Sequence, residues 1–401
     1  MFFIDLRDCM SETAGFSEQD CMFMKRALKL AERGLYTTLP NPAVGCVIVR
    51  DSEVIGEGWH HRAGEPHAEV MALRDAGERQ KEVRGATAYV TLEPCSHFGR
   101  TPPCALGLVN AGISRVVAAM KDPNPLVSGR GFKILEDAGV SVSCGLYENE
   151  ARELNRAFFH SIVTGMPYVT VKYGMSIDAR VALSNGESKW ITSEVSRHDV
   201  QRMRARHQAV LTSANTVVKD DPSLNVRWQE LPFEVRELFP ADPGFLPLRI
   251  IVDAKSVITF NEKIFRCPGP VMVARIGDSD IVRAEKISDS ITVLKVPATL
   301  DDPSHISFRK LFKYLNAINI RNVMIEAGRG LVSDIVRHGL AHEIVFYIAP
   351  KIMGADAVSA FDALGLSSMK DVPELSVSEV SRCGEDVRIT CRFKEISCLQ
   401  E

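Results

Sequence analysis

Along the first 165 residues, apolar positions switch repeatedly between helical and strand spacing. Ser17 opens an amphipathic stretch with Asp20 in the capping-box position and Gly34 as its stop. Phe23, Ala27, Leu30 and Ala31 form its apolar stripe. Residues 43–50 and 53–59 read as a strand pair joined at Asp51-Ser52, and 67–77 as a helix ending at Gly77. A strand (86–92), a helix (104–112), a strand (114–120), a helix (about 130–138), a strand (140–145) and a helix (about 148–163) complete the series. The first 15 or so residues read as a loose extension.

Gly165-Met166-Pro167 predicts a join, after which the pattern restarts. Residues 167–176 read as a strand, 193–206 as a basic helix, and 208–213 as a strand. A polar, proline-containing excursion spans 220–247. Short buried strands follow at 249–253, 270–274 and 291–296, then a helix at 304–318. A strand at 321–330 runs into glycines and is followed by a helix (331–338) and a strand (342–350). Alternation over 386–393 predicts a final antiparallel strand. Strands alternating with helices predict sheets covered on both faces. No repeat occurs at the spacing of solenoids.

The 401 residues accommodate two to four domains. Hydrophobic residues at 45% and charged residues at 25% exclude a disordered chain. A net charge of −3 offers no global basic surface for nucleic acid, but leaves room for a local pocket that takes a phosphorylated small molecule. No window reaches the roughly 18 apolar residues of a membrane span. Asp5, Arg7 and Asp8 leave no place for a secretory apolar core. The ten cysteines are too dilute for a disulfide scaffold, so clustered ones are expected to be reduced metal ligands in a cytoplasmic setting.

His67-Ala68-Glu69 followed by Glu93-Pro94-Cys95 matches the H-x-E…P-C signature of zinc nucleobase deaminases. His67, Cys95 and Cys104 would hold one zinc and leave a fourth position open. Glu69 would move protons. Residues two apart on a helix face nearly opposite ways, so His67 and Glu69 share a site only if the helix starts there. Cys104 opens the next helix, where the positive end favours a thiolate. Eight residues rather than two separate Cys95 from Cys104. A closed structural zinc site is the plainer alternative.

Asn41-Pro42-x-Val44-Gly45, His67-x-Glu69, residues 91–104 (TLEPCSHFGRTPPC), 122–125 (DPNP) and 129–131 (GRG) together resemble the deaminase half of the bifunctional riboflavin-biosynthesis deaminase/reductase family. The long loop between the cysteines is normal there. The resemblance implies Asn41 and His97 as substrate contacts. A turn residue before Pro42 and an exposed loop histidine are the alternatives.

In the second half, 326–330 (EAGRG) lies between an apolar strand and a helix, where glycines admit a phosphate to helix N–H groups. A tight turn explains the same glycines, and the spacing is not G-x-G-x-x-G. Residues 172–180 (KYGMSIDAR), 186–193 (GESKWITS), 216–227 (TVVKDDPSLNVR) and IEAGRG resemble the reductase half of the same family. That resemblance implies NADPH as cofactor, held by Gly174, Trp190, Thr216, Asp220 and the loop with Gly328, Arg329, Gly330 and Leu331. It implies substrate contacts at Lys172, Ser188, Arg204, Leu224, Arg227 and Glu326, the two arginines suiting a phosphate. A solvated helix face is the alternative for Arg204, core packing for Trp190 and an exposed lysine for Lys172. Ala179 departs from the family's S-x-D-G, which questions the position only if its φ is positive.

The expected fold is α/β, with a cytidine-deaminase-like three-layer domain over 16–164 and a dihydrofolate-reductase-like domain over 165–396. The expected activity is deamination of a phosphorylated diaminopyrimidine, then reduction of its ribosyl group by NADPH, in a homodimer or higher homo-oligomer without nucleic acid or membrane. A nucleotide deaminase fused to a folate-type reductase, a zinc-binding protein without turnover, and an RNA deaminase are the competing readings.

Overall fold

The computed structural model describes residues 15–96, 102–124 and 128–394. The chain divides into two compact units between Gly165 and Met166.

In the first unit, helix α1 (Glu18–Glu32) begins at Ser17, whose hydroxyl accepts from the Asp20 N–H while Asp20 accepts from the Ser17 N–H. Strands β1 (Gly45–Arg50) and β2 (Glu53–Trp59) form an antiparallel pair. Helix α2 (Ala68–Glu78), strand β3 (Thr87–Val90), helix α3 (Cys104–Asn110), strand β4 (Arg115–Ala118), helix α4 (Arg130–Asp137) and strand β5 (Ser141–Cys144) follow. The sheet order is β2-β1-β3-β4-β5, with β3, β4 and β5 parallel. Alternate residues of β1 enter two different cores. Val47 and Val49 pack with Phe23, Ala27 and Leu30 of α1, whereas Cys46 and Ile48 pack with Ala68 and Ala72 of α2 and Leu108 of α3. That alternation produces the expected three layers.

The helix expected over about 148–163 is two helices, α5 (Glu148–Leu154) and α6 (Arg156–Thr164). The break falls at Asn155, whose buried amide takes the Ala43 N–H at 2.7 Å and donates to the Ala43 carbonyl at 2.8 Å. A side chain so committed fixes the backbone between Asn41 and β1 instead of lying along a continuous helix. A second buried network ties α1 to the sheet. Asp20 receives both ends of the Arg115 guanidinium and the Tyr89 hydroxyl. Burial alone would raise the Asp20 carboxyl, but these bonds hold it well below its ordinary range.

The second unit contains strands β6 (Tyr168–Ser176) and β7 (Arg180–Ala182), helix α7 (Glu194–Ala205), strand β8 (Ala209–Ser213) and helix α8 (Ala214–Asp220). Next come strands β9 (Leu248–Val252), β10 (Val271–Gly277), β11 (Arg283–Lys286) and β12 (Ile291–Pro297) and helix α9 (Phe308–Ala317). Strand β13 (Asn322–Ile325), helix α10 (Arg329–Arg337) and strands β14 (Glu343–Ala349), β15 (Val358–Ser359), β16 (Leu375–Cys383) and β17 (Asp386–Phe393) complete it. A ten-stranded sheet runs β11-β12-β10-β9-β8-β13-β6-β14-β17-β16. The seven strands from β12 to β14 are parallel, so their carboxyl ends open on one edge, where such sheets bind ligands. Strands β7, β11, β15 and β16 are absent from the sequence reading. Strand β11 is exposed throughout and charged at three of its four positions, and a bulge near Val377 breaks the alternation of β16.

Ala179 has φ +57°, the left-handed region, with its N–H bonded to the Ser176 carbonyl and its own carbonyl accepting from Ala360. A Cβ there costs roughly 1–2 kcal/mol, partly offset by the smaller chain entropy of alanine. Ala179→Gly should therefore stabilise the second unit by up to about 1 kcal/mol, raising its thermal midpoint by about 2–4 °C. A calorimetric scan checks this, and an unchanged or lowered midpoint contradicts it.

Candidate active sites

His67 is the N-cap of α2 with an extended backbone (φ −71°, ψ 165°), and Glu69 sits in the first turn. The condition set by helical geometry is met. Its Nδ1 lies 3.6 Å from Cys95 Sγ and 3.3 Å from Cys104 Sγ. The three donor atoms fall within 4.8 Å of one another. Tetrahedral zinc with ordinary Zn–N and Zn–S bonds separates such ligands by roughly 3.5 Å, so the donor set fits zinc and leaves a fourth position. Cys95 follows β3 and Cys104 opens α3, where its N–H donates to Cys95 Sγ at 3.2 Å.

Hydrogen bonds from the Cys104 thiol, the His67 ring and the Cys104 N–H hold the Cys95 thiol well below its ordinary range in spite of burial. The Cys104 thiol is pushed up because its proton bridges to Cys95. Metal binding displaces that proton. Glu69 is only 3% exposed, and burial together with the negative Cys95 pushes its carboxyl up to about 7. A carboxylate poised there suits proton transfer, and a nearby cation would pull the value down.

Asn41 reaches this site from the loop before β1. Its Nδ2 lies 3.2 Å from His60 Nε2, and His60 Nδ1 lies 3.1 Å from the Pro66 carbonyl. A carbonyl only accepts, so Nδ1 carries the proton and Nε2 accepts from the Asn41 amide. Burial keeps His60 below its usual pKa and therefore neutral. The Asn41 amide therefore turns Nδ2 toward His60 and Oδ1 away from it. His97 lies outside the described residues.

Glu93 has a role that motif matching did not supply. Its buried carboxylate accepts from the N–H groups of Asp122 (3.2 Å), Gly129 (2.9 Å) and Gly131 (2.9 Å). A Cβ at Gly131 would stand 1.9 Å from the Pro94 carbonyl, so only glycine fits. Glu93 thereby gathers the chain around 122 and 129–131 against the turn that bears Cys95. The acid was visible within Glu93-Pro94-Cys95, but nothing in the sequence says where its oxygens point.

In the second unit, Lys172 in the middle of β6, Arg204 near the end of α7 and Glu326 just after β13 come together, with Arg227 within electrostatic reach. Arg204 donates Nε and Nη2 to the two Glu326 oxygens and Nη1 to the Asn225 carbonyl at 3.1 Å. Lys172 Nζ is 3.9 Å from Glu326. Burial alone would raise the Glu326 carboxyl, but the charge and hydrogen bonds of Arg204, then the charges of Lys172 and Arg227, hold it down. Burial lowers Lys172, with Glu326 opposing. Arg204 is buried with Nε and Nη2 on Glu326, so it is not a solvated helix residue. Arg227 is more exposed and bonds Glu230 through Nε.

Thr216 Oγ1 accepts from the Gly328 N–H at 3.3 Å, joining the start of α8 to the start of α10. Gly328 has φ −69° and needs no glycine for its backbone. A Cβ at Gly328 would meet only Thr216 Oγ1 at 3.9 Å, and one at Gly330 only Asp362 at 3.5 Å. Neither position is closed by packing, so this cradle has room for a cofactor phosphate at the helix N-terminus. Arg329 pairs with Asp362, and Leu331 packs on the main core. Gly174 faces Thr192, whose methyl would lie 3.4 Å from a Cβ. Trp190 is exposed with the Arg197 guanidinium 4.4 Å over its ring, which removes core packing as its role. Leu224 is buried at φ +50°. Ser188 is half-buried and Asp220 exposed. Among the described residues, no hydrogen bond joins the side chains of Ser188, Trp190 or Asp220 to the Glu326 cluster.

Residues 17–120 match the family described as the cytidine and deoxycytidylate deaminase zinc-binding region, and residues 167–389 match the RibD C-terminal domain. Fold and sites together define a bifunctional enzyme, a zinc-dependent deaminase joined to a reductase. The chain is 46% identical to riboflavin biosynthesis protein RibD of Escherichia coli, over 92% of its own length and 98% of the relative. It is 42% identical to RibD of Haemophilus influenzae, over 94% and 98%. The Acinetobacter baumannii RibD structure superposes with a TM-score of 0.82 at 40% identity, covering 94% of this chain and 99% of that one. A Thermotoga maritima diaminohydroxyphosphoribosylaminopyrimidine deaminase/5-amino-6-(5-phosphoribosylamino)uracil reductase superposes at 0.80 with 32% identity and the same coverage. The chain belongs to the RibD family of bifunctional riboflavin-biosynthesis enzymes.

Cys104→Ser replaces one of two thiolates with a poor zinc ligand. The purified variant should carry much less zinc than the parent by elemental analysis and release no ammonia. Full occupancy with normal deamination removes Cys104 from the ligand set.

Proposed function

We propose that residues 16–164 deaminate 2,5-diamino-6-ribosylamino-4(3H)-pyrimidinone 5′-phosphate and that residues 165–396 reduce the resulting 5-amino-6-(5-phosphoribosylamino)uracil with NADPH. The observation that carries this is the buried Glu69 beside an open three-ligand set, in a chain whose second unit gathers Lys172, Arg204 and Arg227 around Glu326.

His67, Cys95 and Cys104 would hold zinc, which would supply a water made nucleophilic near neutral pH. Glu69 takes a proton from the attacking water as the new C–O bond forms at the carbon bearing the 2-amino group. It returns protons to the nitrogen, and the C–N bond breaks to release ammonia. Asn41 Oδ1 accepts from the pyrimidine, and His97 is a further contact of the same ligand.

NADPH, when bound, would supply a hydride to C1′ of the ribosyl group; the C1′–O4′ bond breaks and O4′ takes a proton from solvent, giving the open ribityl chain and NADP⁺. Thr216, Gly328, Arg329, Gly330 and Leu331 cradle its phosphates, with Gly174, Trp190 and Asp220 along the rest of the cofactor. Lys172 and Glu326 hydrogen-bond the sugar, and Ser188 and Leu224 complete its surroundings. Arg227 takes the 5′-phosphate, while Arg204 contributes by orienting Glu326. The enzyme acts as a homodimer or higher homo-oligomer in the cytoplasm, on small molecules and not on nucleic acid. The net charge of −3 supports the last point.

Two variants test the division of labour. Glu69→Gln should keep its zinc yet lose about 10²–10⁴-fold in deamination, while still reducing the deaminated intermediate. A parallel fall in reduction contradicts two independent sites. Gly328→Val places a side chain in the cradle and should raise the KM for NADPH by on the order of 10²-fold or more. Its thermal midpoint and ammonia release should stay near those of the parent, because nothing packs against Gly328. An unchanged NADPH affinity in the folded variant takes the loop out of the cofactor site.

A further inference from the structure

Residues 221–227 carry Leu224 and Arg227 but belong to no helix or strand. Asp221 and Leu224 both have positive φ, at 40° and 50°. Such a stretch has no ladder of its own, so its shape must come from other elements. Three buried side chains hold it at alternate residues. Arg249 of β9, with no measurable exposure, donates Nη1 to the Ser223 carbonyl at 3.3 Å. Arg204 of α7 donates Nη1 to the Asn225 carbonyl. Gln201, one turn earlier on α7 and 1% exposed, accepts the Arg227 N–H through Oε1 at 3.0 Å.

The three holds differ in what they reach. Arg249 also binds the carbonyls of Ile264, Cys267 and Gly269, so it braces a wide region. Arg204 is committed to Glu326. Gln201 acts on the backbone of Arg227 itself. Because Gln201 and Arg204 lie three apart on one helix, they face the same way. A single face of α7 therefore fixes both the Glu326 carboxylate and the base of the Arg227 side chain.

We propose that Gln201 is a positioning residue for the reduction, its carboxamide oxygen fixing where Arg227 holds the substrate phosphate. This rests on the assignment of Arg227 to the phosphate. Without its acceptor this part-buried N–H would pull the backbone at 227 toward another partner, and the guanidinium would move with it.

The test uses the full-length, zinc-loaded enzyme with 5-amino-6-(5-phosphoribosylamino)uracil and NADPH. Gln201→Met removes the acceptor at nearly constant length, and Gln201→Asn withdraws it by one methylene. Each should raise the KM for the pyrimidine phosphate by on the order of tenfold, with kcat, the KM for NADPH and ammonia release unchanged. Gln201→Glu restores an acceptor and should recover most of the affinity. In an Arg227→Gln background, Gln201→Met should add nothing further, since its effect passes through Arg227. An unchanged KM in folded Met and Asn variants overturns the proposal. So does a tenfold loss added on top of Arg227→Gln, or a drop in thermal midpoint with kcat and both KM values altered together. If Arg227→Gln alone leaves the KM unchanged, the phosphate assignment itself fails, and the proposal falls with it.

Discussion

A carboxylate taken out of water costs several kcal/mol unless hydrogen bonds or opposite charge replace its hydration. Both units depend on a glutamate in that position, placed just beyond the carboxyl end of a central parallel strand. Glu93 follows β3 and is satisfied by three backbone N–H groups from the chain after β4. Glu326 follows β13 directly and is satisfied by Arg204, with Lys172 nearby. In each unit the need to satisfy one buried acid draws together segments that are distant in sequence. The segments brought together carry the chemistry: Cys95 lies two residues after Glu93, and the cradle at Gly328 two residues after Glu326.

The two acids are satisfied differently, and the difference suits their surroundings. Backbone donors cannot leave, so Glu93 makes a fixed brace behind a metal site whose ligands must hold one geometry. Glu326 is held by side-chain cations that can also attract an anionic ligand. Placing Lys172 and Arg227 beside it keeps the carboxylate charged while leaving the cluster net positive. A phosphate approaching that edge meets attraction without needing a basic protein overall, which reconciles the local chemistry with a net charge of −3.

Most of the architecture was legible because it is written in apolar spacing. The strands that were missed have no such spacing. β11 is a short charged edge, and β16 loses its alternation at a bulge. The break at Asn155 was hidden because helix propensity says nothing of an amide claimed by Ala43, more than a hundred residues away. The zinc ligands were legible because metal chemistry admits few residue types at few spacings. Arg204 shows the limit: its place on a basic helix was legible, but only the fold reveals that its Nε and Nη2 hold a buried glutamate. His60, Glu93 and Gln201 act by orienting other groups, and that kind of work leaves no motif.

The close approach of Gly131 to the Pro94 carbonyl bears on how this protein tolerates change. Gly131 offers no donor atom and is 27 residues from Cys104 and 36 from Cys95, yet it has no more freedom to vary than a ligand has. Any other residue must displace the Pro94 turn, and Cys95 moves with that turn. A genetic screen would therefore recover alleles at 131 with the signature of metal-site alleles, and would group the position with the cysteines although it contributes no donor atom.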